Sequence, residues 1–88
     1  MTADEKLKTL GFELVAQYDT VGTLIYENKE DDQRVELNYD GDDWLIHSYT
    51  ISEYTDWYGN LFNRPIGMKY EECKAFLDKI DEMKDIWK

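Results

Sequence analysis

The 88-residue chain has very little of the residue types on which many small extracellular or metal-binding proteins depend. Cys73 is the only cysteine, so no disulfide can form within the chain and no cysteine-based structural zinc site can be assembled. No stretch is apolar enough to act as a signal peptide or to cross a membrane. These absences predict a cytoplasmic protein that does not enter a membrane.

Basic residues are also scarce, since 10 Lys and Arg stand against 20 Asp and Glu, for a net charge of −10. Affinity for nucleic acids comes largely from neutralising phosphates with Lys and Arg, so we expect no direct binding of DNA or RNA. A hydrophobic content of 42% and an aromatic content of 15% are sufficient for a folded core. We therefore expect a single folded domain over residues 1 to 88.

Side chains that carry catalysis are few. His47 is the only histidine, and a histidine base needs a second group to orient it and a nucleophile to serve. We expect His47 to be a half-buried structural residue and Cys73 to be a small member of the core. No phosphate loop, dinucleotide fingerprint or nucleophile elbow is present. The sequence predicts a protein that is not an enzyme and uses no cofactor.

One pattern is similar to a calcium-binding loop: Glu36, Asn38 and Asp40 alternate ahead of Gly41. It lacks the first aspartate of such loops, and His47 stands where a bidentate glutamate is required. We expect no metal site there.

Hydrophobic periodicity predicts an α+β domain. Thr2 and Glu5 have the spacing of a capping box for a short N-terminal helix, which Gly11 would end. Apolar residues then alternate along four strands. The expected inward residues are Phe12, Leu14, Ala16, Tyr18, Leu24, Tyr26, Val35, Leu37, Tyr39, Trp44 and Ile46. The pattern is that of an antiparallel four-stranded β-meander, with a fifth short strand as an option.

The turns set the strand register. A loop over residues 29 to 32 pairs Tyr26 with Val35 and Leu24 with Leu37. The dipeptide Asp40-Gly41 favours a hairpin, either with a two-residue loop that sets Leu37 opposite Trp44 or with a four-residue loop that sets Tyr39 opposite Trp44. Both alternatives keep the same apolar face.

After Gly67 the period becomes helical, and an amphipathic C-terminal helix is predicted with both helices on one face of the sheet. Its apolar stripe is expected to comprise Cys73, Phe76, Leu77, Ile80, Met83 and Trp87. The other sheet face would carry Val15, Ile25, Leu45, His47, Tyr49 and Ile51. We expect the aromatic connection over residues 53 to 67 to fold over that face; the alternative cover is a partner protein.

Acidic residues are concentrated between positions 27 and 43. The stretch contains Glu27, Glu30, Asp31, Asp32, Glu36, Asp40, Asp42 and Asp43, opposed by Lys29 and Arg34. Such a stretch can serve solubility alone. Its combination with nearby aromatic residues favours a second interpretation, namely a surface that binds a protein partner. Tryptophan and tyrosine anchor interfaces, and charge of one sign attracts a partner of the other.

These observations lead to the hypothesis of a non-enzymatic protein-interaction module. It would dock on a basic-surfaced partner, such as a nucleic-acid-binding protein, and inhibit or regulate it. Asp40, Asp42 and Asp43 would attract the partner, and Trp57 and Tyr58 would anchor it. The alternative is a small-molecule-binding domain with an aromatic pocket between the sheet and residues 53 to 67. A third hypothesis is a weak enzyme that uses His47 with a nearby carboxylate. A homodimer formed through the second sheet face is compatible with all three.

In general type, a short acidic α+β chain without catalytic motifs is similar to the small accessory proteins of bacteriophages and prophages. The likeness involves no specific motif, and it assigns no role to any residue.

Overall fold

The structure, a computed structural model, describes residues 1 to 87 and has an α+β fold. In chain order its elements are α1 (Ala3–Thr9), β1 (Glu13–Tyr18), β2 (Thr23–Asn28), β3 (Gln33–Tyr39), β4 (Trp44–Thr50), β5 (Tyr54–Thr55), β6 (Leu61–Phe62) and α2 (Tyr70–Lys84). Strands β1 to β4 form an antiparallel sheet in the order β1-β2-β3-β4, and β5 pairs with β6 in a separate hairpin. The predicted four-stranded meander between two helices is confirmed.

The first helix begins as its sequence predicts. The amide of Glu5 donates to Oγ1 of Thr2 at 3.2 Å, and the amide of Thr2 donates to Oε1 of Glu5 at 3.3 Å. This reciprocal capping box satisfies two amides that an uncapped helix leaves without partners. Gly11 follows the helix with a φ of 98°, a left-handed conformation that favours glycine.

The registers of two hairpins follow the turn chemistry. Tyr26 pairs with Val35 and Leu24 with Leu37, as predicted. In the β3–β4 hairpin Tyr39 pairs with Trp44, which selects the four-residue loop over the two-residue one.

The core lies between the sheet and the two helices. Its buried members include Leu7, Phe12, Leu24, Tyr26, Val35, Leu37, Phe76, Ile80 and Met83. The ring of Phe76 packs edge-on against Phe12 at 5.1 Å and against Tyr26 at 5.4 Å between centroids, so it joins helix α2 to the sheet and to the segment before β1. Edge-to-face pairs of this kind add to the free energy gained by burial.

The predicted stripe of α2 is wrong at Leu77, which is 52% exposed. The buried face instead contains Ala75 and the aliphatic stem of Lys79, whose ammonium reaches Asp4 at 3.1 Å. At about 100° per residue, Ala75 and Lys79 lie on one side of Phe76 around the helix and Leu77 lies on the other, so a face that buries Ala75 and Lys79 leaves Leu77 outside it. Lys79 can be buried because its charged end has a carboxylate partner.

The predicted alternation of β1 is wrong beyond Leu14. The register shifts there: Leu14 lies opposite Tyr26, but Ala16, two residues later, lies opposite Ile25. This β-bulge at Val15 moves Ala16 and Tyr18 to the face away from the helices and turns Gln17 towards them. Because a one-residue slip reverses the face of every later side chain, alternation of apolar residues alone could not reveal it.

The connection over residues 53 to 67 does not fold over the second sheet face. It forms the β5–β6 hairpin, and Val15 and Leu45 on that face remain 45% and 46% exposed. His47 is also exposed rather than half-buried as predicted.

Polar side chains of the second face satisfy one another, which reduces the need for a cover. Glu36 accepts hydrogen bonds from Asn38 at 2.9 Å and from Tyr49 at 3.1 Å. Arg34 donates from Nε to Glu27 at 2.8 Å. Burial and the hydrogen bond to Glu36 raise the pKa of Tyr49. The face is a laterally hydrogen-bonded layer with a few exposed apolar residues among its polar groups.

Candidate protein-interaction surface

The tip of the β5–β6 hairpin is a closed, hydrogen-bonded turn. The amide of Gly59 donates to the carbonyl of Asp56 at 3.1 Å, and the amide of Asp56 donates to the carbonyl of Asn60 at 2.9 Å. Gly59 has a φ of 85°. This is the geometry of a three-residue hairpin loop, a type I turn followed by a left-handed residue. Trp57 and Tyr58 occupy its two corner positions.

The side chain of Asp56 reinforces the turn from inside. Its Oδ1 atom accepts hydrogen bonds from the amides of Asn60 and Tyr58, both at 2.8 Å. These bonds from Asn60 and Tyr58 hold the pKa of the Asp56 carboxyl below its usual value. The turn is therefore held by backbone and side-chain hydrogen bonds of its own and needs no contact from Trp57.

The two corner rings project into solvent. Trp57 is 95% exposed and Tyr58 is 86% exposed. Large aromatic side chains usually contribute to a core, whereas a tryptophan this exposed buries almost none of its surface in its own fold. The rings at the base of the hairpin differ, because Tyr54 lies 6.1 Å from Phe62 between centroids and the guanidinium of Arg64 covers Tyr54 at 4.2 Å.

Two strand-like hydrogen bonds attach the hairpin to the edge of β4. The amide of Thr50 donates to the carbonyl of Arg64 at 2.8 Å, and the amide of Ile66 donates to the carbonyl of Ser48 at 3.0 Å. Oγ1 of Thr50 also accepts from the amide of Arg64 at 3.0 Å. The root of the hairpin is thus continuous with the sheet.

The β2–β3 turn lies against this root. Both the amide and the hydroxyl of Ser52 donate to Oδ1 of Asp32 at 2.9 Å, and the amide of Ile51 donates to the Asp32 carbonyl at 3.2 Å. Glu30 and Asp31 on the same turn are exposed. Carboxylates therefore lie at the end of the sheet from which the aromatic hairpin projects. We call this assembly, the hairpin tip with Glu30 and Asp31, the hairpin surface.

The predicted acids Asp40, Asp42 and Asp43 lie elsewhere. They form the β3–β4 turn, where Oδ1 of Asp40 accepts from the amides of Asp43 at 2.7 Å and Asp42 at 2.9 Å. Those bonds from Asp43 and Asp42 lower the pKa of Asp40. The turn precedes β4 whereas the hairpin follows it. The seven residues of β4 separate the two ends by about 20 Å at about 3.3 Å per residue.

The five predicted site residues therefore form two groups. Trp57 and Tyr58 lie on the hairpin that projects from the end of the sheet carrying the β2–β3 turn. Asp40, Asp42 and Asp43 lie on the β3–β4 turn at the other end, beside Tyr39 and Trp44 in the chain, whose rings stack with centroids 5.3 Å apart. Sequence reasoning did not single out Asp56. Its signal was present, because aspartate at the first and glycine at the fourth position are favoured in type I turns, and Asp56 and Gly59 have that spacing.

The predicted aromatic pocket takes a different form. A shallow depression beside Tyr49 is lined by Arg34, His47, Asn63 and Pro65, among others, whereas Trp57 points away into solvent. Glu36 lies opposite His47 in register, but its two oxygens already accept hydrogen bonds from Asn38 and Tyr49. Among the hydrogen bonds of residues 1 to 87, none joins the Glu36 carboxylate to the imidazole of His47.

Within residues 1 to 87, no three His, Cys, Asp or Glu side chains are grouped so as to hold a metal ion. No helix in this part of the chain has the length and apolar character needed to cross a membrane. In comparisons with known proteins, the chain matches no family model, no curated protein and no solved structure. Its fold and surface define a small α+β domain that displays an aromatic hairpin.

Proposed function

We propose that the protein is a non-enzymatic interaction module that docks the tip of its β5–β6 hairpin into a protein partner with a basic surface. The observation that carries the proposal is the display of Trp57 and Tyr58, 95% and 86% exposed, on a turn closed by its own hydrogen bonds. Tryptophan and tyrosine are the residues that most often dominate the energy of protein interfaces.

The available binding energy is large for so small a surface. Burying a tryptophan removes on the order of 200 Å² of its surface from water. At about 25 cal/mol per Å² this corresponds to on the order of 5 kcal/mol before the costs of association. The corner position of Trp57 lets the ring enter a pocket without a change of fold.

The closed turn reduces the cost of binding. Ordering a flexible loop on association consumes part of the interaction energy. Here the two bonds to Oδ1 of Asp56, each 2.8 Å long, and the backbone bonds around Gly59 already hold the loop in one conformation. A partner would meet two aromatic side chains whose backbone is already ordered.

The charge favours a basic partner. Glu30, Asp31, Glu53 and Asp56 are exposed at the hairpin end, and the whole chain has a net charge of −10. Complementary charge accelerates encounter and disfavours acidic partners, including nucleic acids themselves. A nucleic-acid-binding protein is a fitting partner, and covering its basic surface would inhibit or regulate it. We place this interaction in the cytoplasm, in keeping with a chain whose only cysteine is unpaired.

The proposal is tested by affinity capture from a native host lysate with three forms of the purified chain. These are the wild type, the double variant Trp57→Ala/Tyr58→Ala, and the control Tyr70→Ala, which removes a ring that is 73% exposed on α2. We expect the wild type and the control to retain a basic protein that the double variant loses. Circular dichroism should show the same fold for all three, since the removed rings are exposed.

A variant with fewer carboxylates separates the electrostatic attraction of the partner from its binding by the aromatic rings. Glu30→Gln/Glu53→Gln changes exposed carboxylates at the hairpin end and leaves both rings in place. With the captured partner purified, it should slow association and reduce the dependence on salt, with a smaller change in the dissociation rate. If all forms capture the same proteins in the same amounts, the hairpin is not the docking element and the proposal is wrong.

A further inference from the structure

A second concave surface lies at the opposite end of the sheet from the hairpin. It is formed by the β1–β2 turn, the β3–β4 turn and the end of α2, and has a volume of about 400 Å³. We call it the turn groove. Its principal lining residues are Asp19, Val21, Tyr39, Asp40, Ile86 and Trp87.

Two of the residues that line the turn groove, Tyr39 and Trp87, belong to one aromatic stack. Trp44 lies between Tyr39 and Trp87, with centroids 5.3 Å and 5.7 Å away, and the planes of the two indoles differ by 7°. The amide of Tyr39 donates to the carbonyl of Gly22 at 2.8 Å, and its hydroxyl donates to the carbonyl of Gly41 at 2.9 Å. The rings and both turns are thereby held together before any ligand arrives.

Two aliphatic side chains contribute to the groove without being buried. Val21 is 64% exposed and Ile86 is 68% exposed. A single exposed aliphatic residue is ordinary. Here two of them line the same concavity as Tyr39 and Trp87, which offers an apolar side chain contacts on several sides.

The rim is acidic. Asp19 and Asp40 line the groove, and the three segments that form it also contain Asp42, Asp43 and Asp85, all exposed. Oδ1 of Asp40 is engaged by the amides of Asp42 and Asp43, so the turn has a fixed shape while the carboxylates of Asp42 and Asp43 remain on its surface. Negative charge around an apolar centre complements an apolar side chain flanked by cationic ones.

We infer that the turn groove binds a short basic and apolar peptide segment of a partner protein. A leucine-like side chain of that segment would lie against Val21, Ile86 and Trp87, and neighbouring arginine or lysine residues would pair with Asp19, Asp42 and Asp43. A second copy of this chain is disfavoured as the occupant, because its net charge of −10 would be brought against the same acidic rim.

This site is independent of the hairpin surface. The molecule measures 44 × 29 × 20 Å, and the two surfaces lie at opposite ends of β4. Two segments could therefore bind at once, one at each end. With both surfaces occupied, the protein would be an adaptor that holds two basic segments apart.

The test is an NMR titration of the isotope-labelled full chain with a capped nine-residue peptide of alternating leucine and arginine. Two more peptides separate the contributions: in one every arginine is glutamine, and in the other every leucine is serine. We expect shifts of the amides of Val21, Gly22, Gly41 and Ile86 with the leucine–arginine peptide. Both other peptides should bind at least about tenfold more weakly, since each lacks one of the two contributions.

Matched variants establish the site. Val21→Ser/Ile86→Ser removes apolar surface from exposed positions and should weaken binding about tenfold. Asp42→Asn/Asp43→Asn should also weaken it and keeps the backbone amides that cap Asp40. Glu30→Gln/Glu53→Gln makes the same change of net charge at the other end and should leave the affinity unchanged.

Three results would overturn the inference: shifts spread evenly over the surface, equal weakening by both charge variants, or equal binding of the glutamine peptide. Trp57→Ala/Tyr58→Ala should bind the leucine–arginine peptide as the wild type does. If this double variant retains all its partners in the lysate while the peptide still binds the turn groove, the proposed hairpin function fails and the present inference stands.

Discussion

Tyr26 donates a 2.6 Å hydrogen bond from its phenolic hydroxyl to Oδ1 of Asp4, which ties the first turn of α1 to the centre of the sheet. The tyrosine is 1% exposed, and Oδ2 of Asp4 is paired with the ammonium of Lys79 at 3.1 Å. One carboxylate thus joins α1, β2 and α2. Because the residues that it joins are far apart in the chain, this contact stabilises the tertiary arrangement rather than any single element.

Replacing Tyr26 by phenylalanine should lower the free energy of unfolding by about 1 kcal/mol. A hydrogen bond to a charged group contributes about 1.5 to 3 kcal/mol, but the Asp4 side chain is 48% exposed and can turn to water. Denaturant unfolding measures the change. Tyr70→Phe, at a tyrosine that is 73% exposed, is the control and should have no effect. Equal stability of both variants would contradict the role assigned to this bond.

The same residue, Tyr26, should make the fold less stable in alkaline solution. Burial, and then the hydrogen bond to Asp4, raise the pKa of Tyr26 above its ordinary value of 10.0. The folded state therefore keeps a proton that the unfolded state releases, so stability is complete below pH 10 and declines above it. Unfolding free energies measured from about pH 8 to about pH 11 should decline less steeply in Tyr26→Phe. Parallel declines would show that Tyr26 does not cause the loss.

Phe76 should be among the most sensitive positions in the core. It is completely buried and packs against the rings of Phe12 and Tyr26. Phe76→Ala should cost about 3 to 5 kcal/mol, enough to unfold a marginally stable domain. Phe76→Leu should still fold, with a loss of about 1.5 kcal/mol. The neighbouring variant Leu77→Ala is the control, and a loss as large as that at Phe76 would contradict the observed face of α2.

Gly59→Ala should loosen the hairpin without unfolding the sheet. Nothing lies within 4 Å of a Cβ built at Gly59, but its φ is 85°, and a non-glycine residue in the left-handed region costs about 1 to 2 kcal/mol. Hydrogen exchange at the amides of Asp56 and Asn60 should accelerate, with little change along β3. The control Gly67→Ala has the same open space and no left-handed φ, so it should leave exchange unchanged. Acceleration in both variants would refute the turn geometry.

The β3–β4 turn should loosen in acid. The amides of Asp43 and Asp42 lower the pKa of Asp40, so the bonded form is present above the ordinary value of 3.8 and is lost as pH falls through the lower folded value. The amide signals of Asp42 and Asp43 should move in that range. Asp40→Asn keeps an acceptor oxygen and should remove the part of this movement that the Asp40 carboxyl causes. Unchanged titration in the variant would mean that another group is responsible.

The sequence was most informative where the cause of structure is local. The capping box at Thr2, the left-handed Gly11 and the pairing of Tyr26 with Val35 each depend on a few neighbouring residues, and all were predicted. The bulge at Val15 was not predicted, because the register of β1 depends on its pairing with β2 and cannot be read from the alternation of apolar residues. Leu77 was misplaced because α2 has more apolar residues than its buried face can accommodate.

The candidate surface was likewise predictable from sequence only in part. Sequence singled out Trp57 and Tyr58 as candidate anchors, and the turn that displays them could have been predicted from Asp56 and Gly59 alone. That the hairpin projects from the sheet rather than covering it depends on hydrogen bonds between distant segments, such as those from Ser52 to Asp32.

By itself, the sequence determined an acidic four-stranded meander with two helices, because periodicity and turn chemistry act over a few residues. Only the tertiary structure decided which carboxylates accompany which rings. Residues 40 to 43 and residues 57 and 58 are close in the chain, yet β4 runs between them and carries them to opposite ends of the sheet. An extended strand places residues that are close in sequence far apart in space. Amino-acid composition does not reveal that distance.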